Sequence, residues 1–346
     1  MTAILEFIQN HFIVAALIKM VIVLVFMLLL MVPFMIWLER KVIADMQIRI
    51  GPNRTGPYGL LQPIADGIKL FFKEDVLPAN VDRAIYFLAP AINVVPALTL
   101  YCVIPFGTLG IGGGTAVTNV NVGILLAFSL MSVSVYGIVL AGWASNNKYS
   151  LLGGLRASAQ MISYELSLGL SIIGVLMLAG TLDLMGIAQA QSGSFHGFPR
   201  WFLFVQPLGF LIYLISAFAE TNRVPFDLPE AEGELVAGYH TEYSSMKFAM
   251  FFMGEYAFVV AHAAIATTLF LGGWNPIIPA IPLPGIVWFG MKIFAFAYFF
   301  VWVRATLPRF RFDQLMHIGW KILLPLALVN LFATGIGIVI WQSLAR

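Results

Sequence analysis

Residues 12–38 read FIVAALIKMVIVLVFMLLLMVPFMIWL, and Lys19 is the one charged side chain in the stretch. A hydrocarbon core of about 30 Å is crossed by roughly 20 apolar helical residues, so this segment is long enough to span a bilayer. It begins too far inside the chain and runs too long for a cleaved signal peptide, and it reads as a retained helix. Working outward, seven further apolar stretches follow at 84–106, 122–144, 160–180, 201–219, 248–271, 286–303 and 320–341. Over 346 residues the chain is 60% hydrophobic and 10% charged, with a mean hydropathy of +0.90. A soluble domain averages about 45–50% apolar and about 25% charged. The expected fold is therefore an all-α polytopic membrane protein of about eight transmembrane helices, one membrane domain over 1–346, and a soluble globular fold is excluded. No internal repeat of fixed period is visible, which weighs against a transporter built from inverted halves.

Orientation follows from the basic residues of the short loops. Segments 39–83, 145–160, 220–247 and 304–321 carry 15 of the 19 lysines and arginines, which places them on the cytoplasmic side or its equivalent, the mitochondrial matrix. With an even number of spans, both termini fall on the opposite side. Two of these inner loops are more than connectors. In 39–83, Gly51-Pro52 and Gly56-Pro57 interrupt any regular helix. Beyond them Leu61, Ile64, Ile68 and Phe71 recur at helical spacing, with Asp66, Lys69 and Lys73 at other positions, the pattern of an amphipathic helix lying in the interface. Taken alone, such a helix reads first as a plain membrane-surface anchor. The other loop, 220–247, is acidic.

In that loop Glu220, Asp227, Glu230, Glu232 and Glu234 crowd around the single Arg223, and Glu242 adds a sixth carboxylate. Burial and mutual repulsion disfavour the charged form of such groups, so a set of them can exchange protons near neutrality. A solvated acidic loop is the competing reading. Glu165 and Glu255 are harder to assign to solvent, because they fall within or near apolar spans, where a charge costs about 2.5–3.5 kcal/mol on insertion scales. Both are candidate proton carriers. His262, seven residues after Glu255, lies on nearly the same helical face and by itself reads as a packing residue; Lys292 on the next span is a candidate counter-charge.

The exclusions are equally useful. Cys102 is the only cysteine and the five histidines lack metal-ligand spacing, so no iron–sulfur cluster, haem or zinc site is expected in this chain. Any redox centre must belong to partners. A formal net charge of +2 with dispersed basic residues gives no footprint for nucleic acid.

Several motifs are specific enough to carry a family resemblance. They are Glu39-Arg40-Lys41; Arg49-Ile50-Gly51-Pro52-Asn53-Arg54 followed by Gly56-Pro57-Tyr58-Gly59; Ala65-Asp66-Gly67-Ile68-Lys69; Ser145 to Ser150; Arg156-Ala157 through Ser163-Tyr164-Glu165; the acidic loop; and Arg304-Ala305-Thr306-Leu307-Pro308-Arg309-Phe310-Arg311-Phe312-Asp313-Gln314. In this order, over nearly the whole chain, they resemble the H-type (ND1) family of membrane subunits of respiratory NADH:quinone oxidoreductase, complex I. Membrane subunits of energy-converting hydrogenases share part of the pattern, and an ion antiporter is a third class that buried acids could serve.

The resemblance implies a polypeptide at the junction of the membrane and hydrophilic arms, framing a tunnel for ubiquinone or menaquinone as substrate. It implies Glu39, Arg40, Arg49, Asp66, Lys69, Phe226 and Asp227 along that tunnel. It implies Glu165, Glu220, Asp227, Glu230, Glu232, Glu234, Glu242 and Glu255 along a proton route. It further implies FMN and iron–sulfur clusters held only by partner subunits. The partners would be hydrophilic quinone-site subunits, small and antiporter-like membrane subunits, and lipid. The setting would be a bacterial cytoplasmic membrane rather than the mitochondrial inner membrane. Some relatives place a further carboxylate on the third span, where this chain has only Ser129, Ser132 and Ser134.

Overall fold

The computed structural model describes residues 12–108, 114–195, 198–229, 235–278 and 281–344. Among the described residues, seven helices are long and apolar enough to cross a membrane: α1 (Leu17–Met46), α3 (Arg83–Cys102), α4 (Gly123–Ala144), α5 (Lys148–Ala179), α8 (Ser245–Phe270), α9 (Gly285–Thr306) and α10 (Phe312–Leu344). Shorter helices include α2 (Gln62–Phe72), α6 (Leu184–Ala190) and α7 (Pro207–Glu220). Two-residue strand pairs, Phe106–Gly107 with Gly114–Thr115 and Ser194–Phe195 with Phe198–Pro199, close two turns. The chain is an all-α, multi-pass membrane protein.

Local chemistry sets the helix ends. Asp82 caps α3, its Oδ1 accepting from the amides of Ala84 and Ile85 at 3.1 and 3.3 Å. Asn147 caps α5 through the amide of Tyr149 at 3.0 Å, satisfying donors that the first turn leaves unpaired. With that cap, α5 starts twelve residues before the expected edge of its span, and 148–159 is helix rather than loop. Likewise α1 continues to Met46, so Glu39 and Arg40 are helical residues and not part of the following loop. The fifth expected span, 201–219, is broken. Gln206 has φ −124° and ψ 52° between the short helix Phe202–Val205 and α7, because Pro207 disfavours the helical conformation in the residue before it. The 14 residues of α7 are fewer than a bilayer crossing needs. The break is tied to α10: buried Gln206 accepts from Asn330 Nδ2 at 2.9 Å and donates to Thr334 Oγ1 at 2.6 Å.

The core is organised around α8, in which every residue from Tyr256 to Phe270 is buried. Its alanines, Ala257, Ala261, Ala263, Ala264 and Ala266, let neighbours approach closely, as in membrane helix packing. Helices α1 and α10, by contrast, expose rows of large apolar residues such as Val21, Leu29, Val329 and Ile336, the surfaces suited to lipid. The connections gather by hydrogen bonding into two ends. At one end Asp82 N meets Ala144 O, Asn147 meets Glu242, and Phe310 N meets Pro225 O. At the other, Ile124 N meets Leu182 O, and Ile286 N meets Thr108 O. The first end is the basic one, and it carries the acids of interest.

Candidate functional site

At the basic end α1, α8, α9 and the segment after α7 converge on a buried charge cluster. Arg223 pairs through Nη1 with Glu39 Oε2 and through Nε with Glu255 Oε1, the latter at 2.5 Å. Arg304 holds the other oxygen of Glu39. The Arg223 guanidinium lies over the Tyr256 ring at 4.2 Å, a cation–π contact whose strength grows as water is excluded. Glu39, Arg223 and Glu255 are nearly or fully shielded from solvent, so two carboxylates and two guanidiniums balance in a poorly hydrated site. Such an arrangement is weak evidence of stabilisation, but removal of one partner is costly because it strands a buried charge.

Beside the cluster is a cavity of about 20 Å³ lined by Asn93, Met161, Glu220, Asn222, Tyr239 and Glu255, among others. That is room for about a single water. Glu220 and Glu255 both line this cavity, and the buried Oδ1 of Asn93 has no protein partner. On its other side Glu220 Oε2 faces His262 Nε2 at 3.6 Å. Glu165 on α5 is half-buried and receives a hydrogen bond from Ser132 on α4, so a hydroxyl on the third span meets the acid there. Glu242 accepts from Asn147 Nδ2 at 2.7 Å. Glu230, Glu232 and Glu234 lie outside the described residues.

Towards the surface, α1 and α2 form a second polar group. Arg40 pairs with Asp66 at 2.5 Å, Gln62 donates to Asp66 at 3.0 Å, and Thr55 donates to Gln62 at 2.6 Å. Next to it opens a cleft of about 380 Å³ lined by Arg40, Ile43, Arg49, Ile50, Gly51 and Pro52. Two cations beside apolar walls suit an amphiphile with a polar head and a hydrocarbon tail. Lys69 is exposed on α2, and the apolar face of that helix is bare: Ile64, Ile68 and Phe71 are exposed, as an interfacial helix requires.

Phe226 and Asp227 join this end differently. Phe226 is buried against the rings of Tyr164 and Phe310 at 5.4 and 5.5 Å, and its carbonyl accepts from Gln160 at 2.8 Å. It packs the loop rather than lining the cleft. Asp227 Oδ2 pairs with Arg309 at 2.6 Å while its buried Oδ1 has no partner. Burial raises its carboxyl above the ordinary aspartate range, although Arg309, Arg304 and Arg223 pull the other way. Nearby His240 is buried among the rings of Tyr239, Phe248 and Phe252, and burial lowers it to about 4.

Lys292 is not a counter-charge to Glu255 or His262. Its ammonium donates to the carbonyls of Leu271, Gly273 and Asn275 at 2.6, 2.8 and 2.7 Å, closing the far end of α8 where the last turn leaves carbonyls unpaired. The cations that answer the buried acids are Arg223, Arg304 and Arg309. Charge balance is the signal that points to them: acids committed to apolar surroundings demand partners, and Arg223 lies between Glu220 and Asp227 in sequence while Arg304 and Arg309 lie at and just after the C-terminal end of α9. Among the described residues no group of histidine, cysteine and carboxylate side chains could hold a metal ion.

A family model described as NADH dehydrogenase matches residues 18–335. Curated relatives include an H subunit, numbered 2, of the NADH-quinone oxidoreductase of Koribacter versatilis, 53% identical over 348 aligned positions covering 94% of this chain and 97% of that protein. The Geobacter sulfurreducens protein of the same name is 53% identical, covering 90% and 92%. The H subunit of the NADH-quinone oxidoreductase of Thermomicrobium roseum is 52% identical, covering 91% and 93%.

Proposed function

The chain belongs to the NADH dehydrogenase family as an H-type membrane subunit, and from that premise we propose that it guides quinone to a partner's redox centre and couples quinone reduction to proton movement through its buried acids. The observation that carries this reading is the cavity lined by both Glu220 and Glu255 next to the Glu39–Arg223–Glu255 cluster. Quinone is the substrate, and the cleft at Arg40 and Arg49 fits its polar head beside an apolar path. The single cysteine agrees with flavin and iron–sulfur chemistry lying wholly on partner subunits.

Reduction of quinone takes two electrons from the partner and two protons from its surroundings. The charge that appears acts on the buried acids. At about 10 Å and an effective dielectric of about 20, one unit charge is felt as roughly 1.7 kcal/mol, a little over one pKa unit. That is enough to move protons among acids already poised, and it requires no large motion. Arg223 sets the poise by holding Glu39 and Glu255 together, while the water-sized cavity offers a step between Glu255 and Glu220. Glu165, Glu242 and the acids at 230, 232 and 234 would extend the route, and Asp66 and Lys69 would border the path by which quinone arrives from lipid.

Purification in mild detergent tests the reading. The expected outcome is recovery with hydrophilic iron–sulfur subunits, further membrane subunits and bound quinone from a bacterial cytoplasmic membrane, in a complex that reduces quinone with NADH. Recovery with a nickel–iron partner would point to a hydrogenase, and proton-coupled ion exchange by the isolated chain to an antiporter.

A further inference from the structure

On α8, His262 lies about two helical turns beyond Glu255, and its ring is almost completely shielded from solvent. Its two nitrogens have different neighbours. Nδ1 is 3.4 Å from the hydroxyl of Tyr213 on α7, and that hydroxyl is also 3.2 Å from the carbonyl of His262 itself. Nε2 has no hydrogen-bond partner and points at Glu220 Oε2, 3.6 Å away, which has none either. Two unpartnered polar atoms facing each other in a buried site are costly unless a proton lies between them.

We propose that His262 is a proton-bearing member of the acid route, paired with Glu220 and oriented by Tyr213. The proposal rests on the functional reading above and extends it to a residue that reads, by itself, as core packing. Tyr213 can donate to only one acceptor. When its O–H is spent on the His262 carbonyl, its oxygen accepts from Nδ1–H, and Nε2 is left as a lone pair aimed at the carboxyl. Glu220 then carries the shared proton. Moving that proton from Oε2 to Nε2 converts neutral acid and neutral imidazole into carboxylate and imidazolium, and the net charge of the pair does not change. In an apolar surround this costs less than charging either group alone, because the two charges stay paired. A second proton arriving from the cavity side would give the pair a net positive charge and favour release onward. Besides Tyr213, the ionisable groups near Glu220 include Glu165, whose charge acts on it, and Glu255 and Tyr239, which line the same cavity.

The test uses the assembled complex in vesicles, with three variants. His262→Gln keeps a polar terminus but cannot titrate, His262→Met removes both nitrogens, and Glu220→Gln removes the acid. The proposal expects the rate of coupled proton translocation to fall about a hundredfold or more in both His262 variants, the scale of a lost proton-transfer group. It also expects a carboxylic acid C=O band in the infrared spectrum that Glu220→Gln abolishes and His262→Met moves to higher wavenumber, because its acceptor is gone. Wild-type translocation in His262→Gln would make the role structural and overturn the proposal. So would a Glu220 band indifferent to His262→Met, or the absence of any such band in the wild-type complex, a result that needs no variant to assemble. Wild-type translocation in Glu220→Gln would instead refute the broader route, with the infrared arm still deciding the pairing.

Discussion

Replacing Arg223 with methionine removes the one group that bridges Glu39 and Glu255 while keeping an unbranched side chain over Tyr256. Glu39 retains Arg304, whereas Glu255 loses the partner it holds at 2.5 Å. At an effective dielectric of about 20 a pair near 4 Å is worth about 4 kcal/mol, and breaking a buried pair by removing one partner costs about 3–5 kcal/mol. The loss falls on the segment that Arg223 anchors, whose amides are tied by bonds such as Phe226 N to Arg223 O at 2.7 Å and Leu228 N to Phe226 O at 3.0 Å. Hydrogen exchange of peptides covering 221–229 in the assembled complex reads that opening directly. The Arg223→Met variant should exchange about 10²–10³ times faster, since each 1.4 kcal/mol is tenfold. Adding Glu255→Gln should restore most of the protection, because the stranded charge is gone. Exchange within about threefold of wild type, or a double variant no better protected than the single one, would refute the reasoning.

Other perturbations separate access, acid sensitivity and scaffold. Asp66→Asn and Lys69→Met should slow turnover with long-tailed quinone more than ferricyanide reduction by the NADH-oxidising partner. The Arg40–Asp66 pair is too exposed for its loss to cost more than about 1 kcal/mol, so equal losses in both assays would signal failed assembly instead. His240, lowered by burial to about 4, contributes stability that is complete above its unfolded value near 6.5 and is lost as pH falls between the two. Exchange of 235–244 should therefore accelerate over pH 6.5 to 4 by an amount worth about 3 kcal/mol, and His240→Gln should flatten the profile; a wild-type profile already flat would contradict it. Lys292→Met leaves three carbonyls without their donor and should lower thermal resistance by about 1–3 kcal/mol with coupled activity per assembled complex unchanged. A selective loss of proton translocation would reinstate it as a counter-charge.

The fold was legible because the length and polarity of apolar runs are fixed by the bilayer, and the all-α membrane architecture follows from them alone. What could not be read was local. Whether 148–159 is helix depends on the Asn147 cap, and whether 201–219 is one helix depends on Pro207 and on Asn330 and Thr334, residues far along the chain that stitch Gln206 in place. The same division runs through the site. Glu165 and Glu255 stood out because burying a charge is expensive, and α2 stood out by periodicity. Their partners did not: Glu39 and its arginines are 184 and 265 residues apart, and nothing local in either segment pairs them. Phe226 is a tunnel position by resemblance alone, and its ring contacts with Tyr164 and Phe310 join segments far apart in the chain. His262 read as packing because Glu220, on another helix, is invisible from α8.

The central claim is that buried carboxylates transmit quinone reduction into proton movement. The most direct test is the number of protons translocated per quinone reduced by the assembled complex in sealed vesicles, compared among wild type, Glu165→Gln and Glu255→Gln. The account predicts intact assembly with a sharply lower ratio or coupled rate in each variant. Wild-type quinone reduction together with a wild-type ratio in both would contradict it.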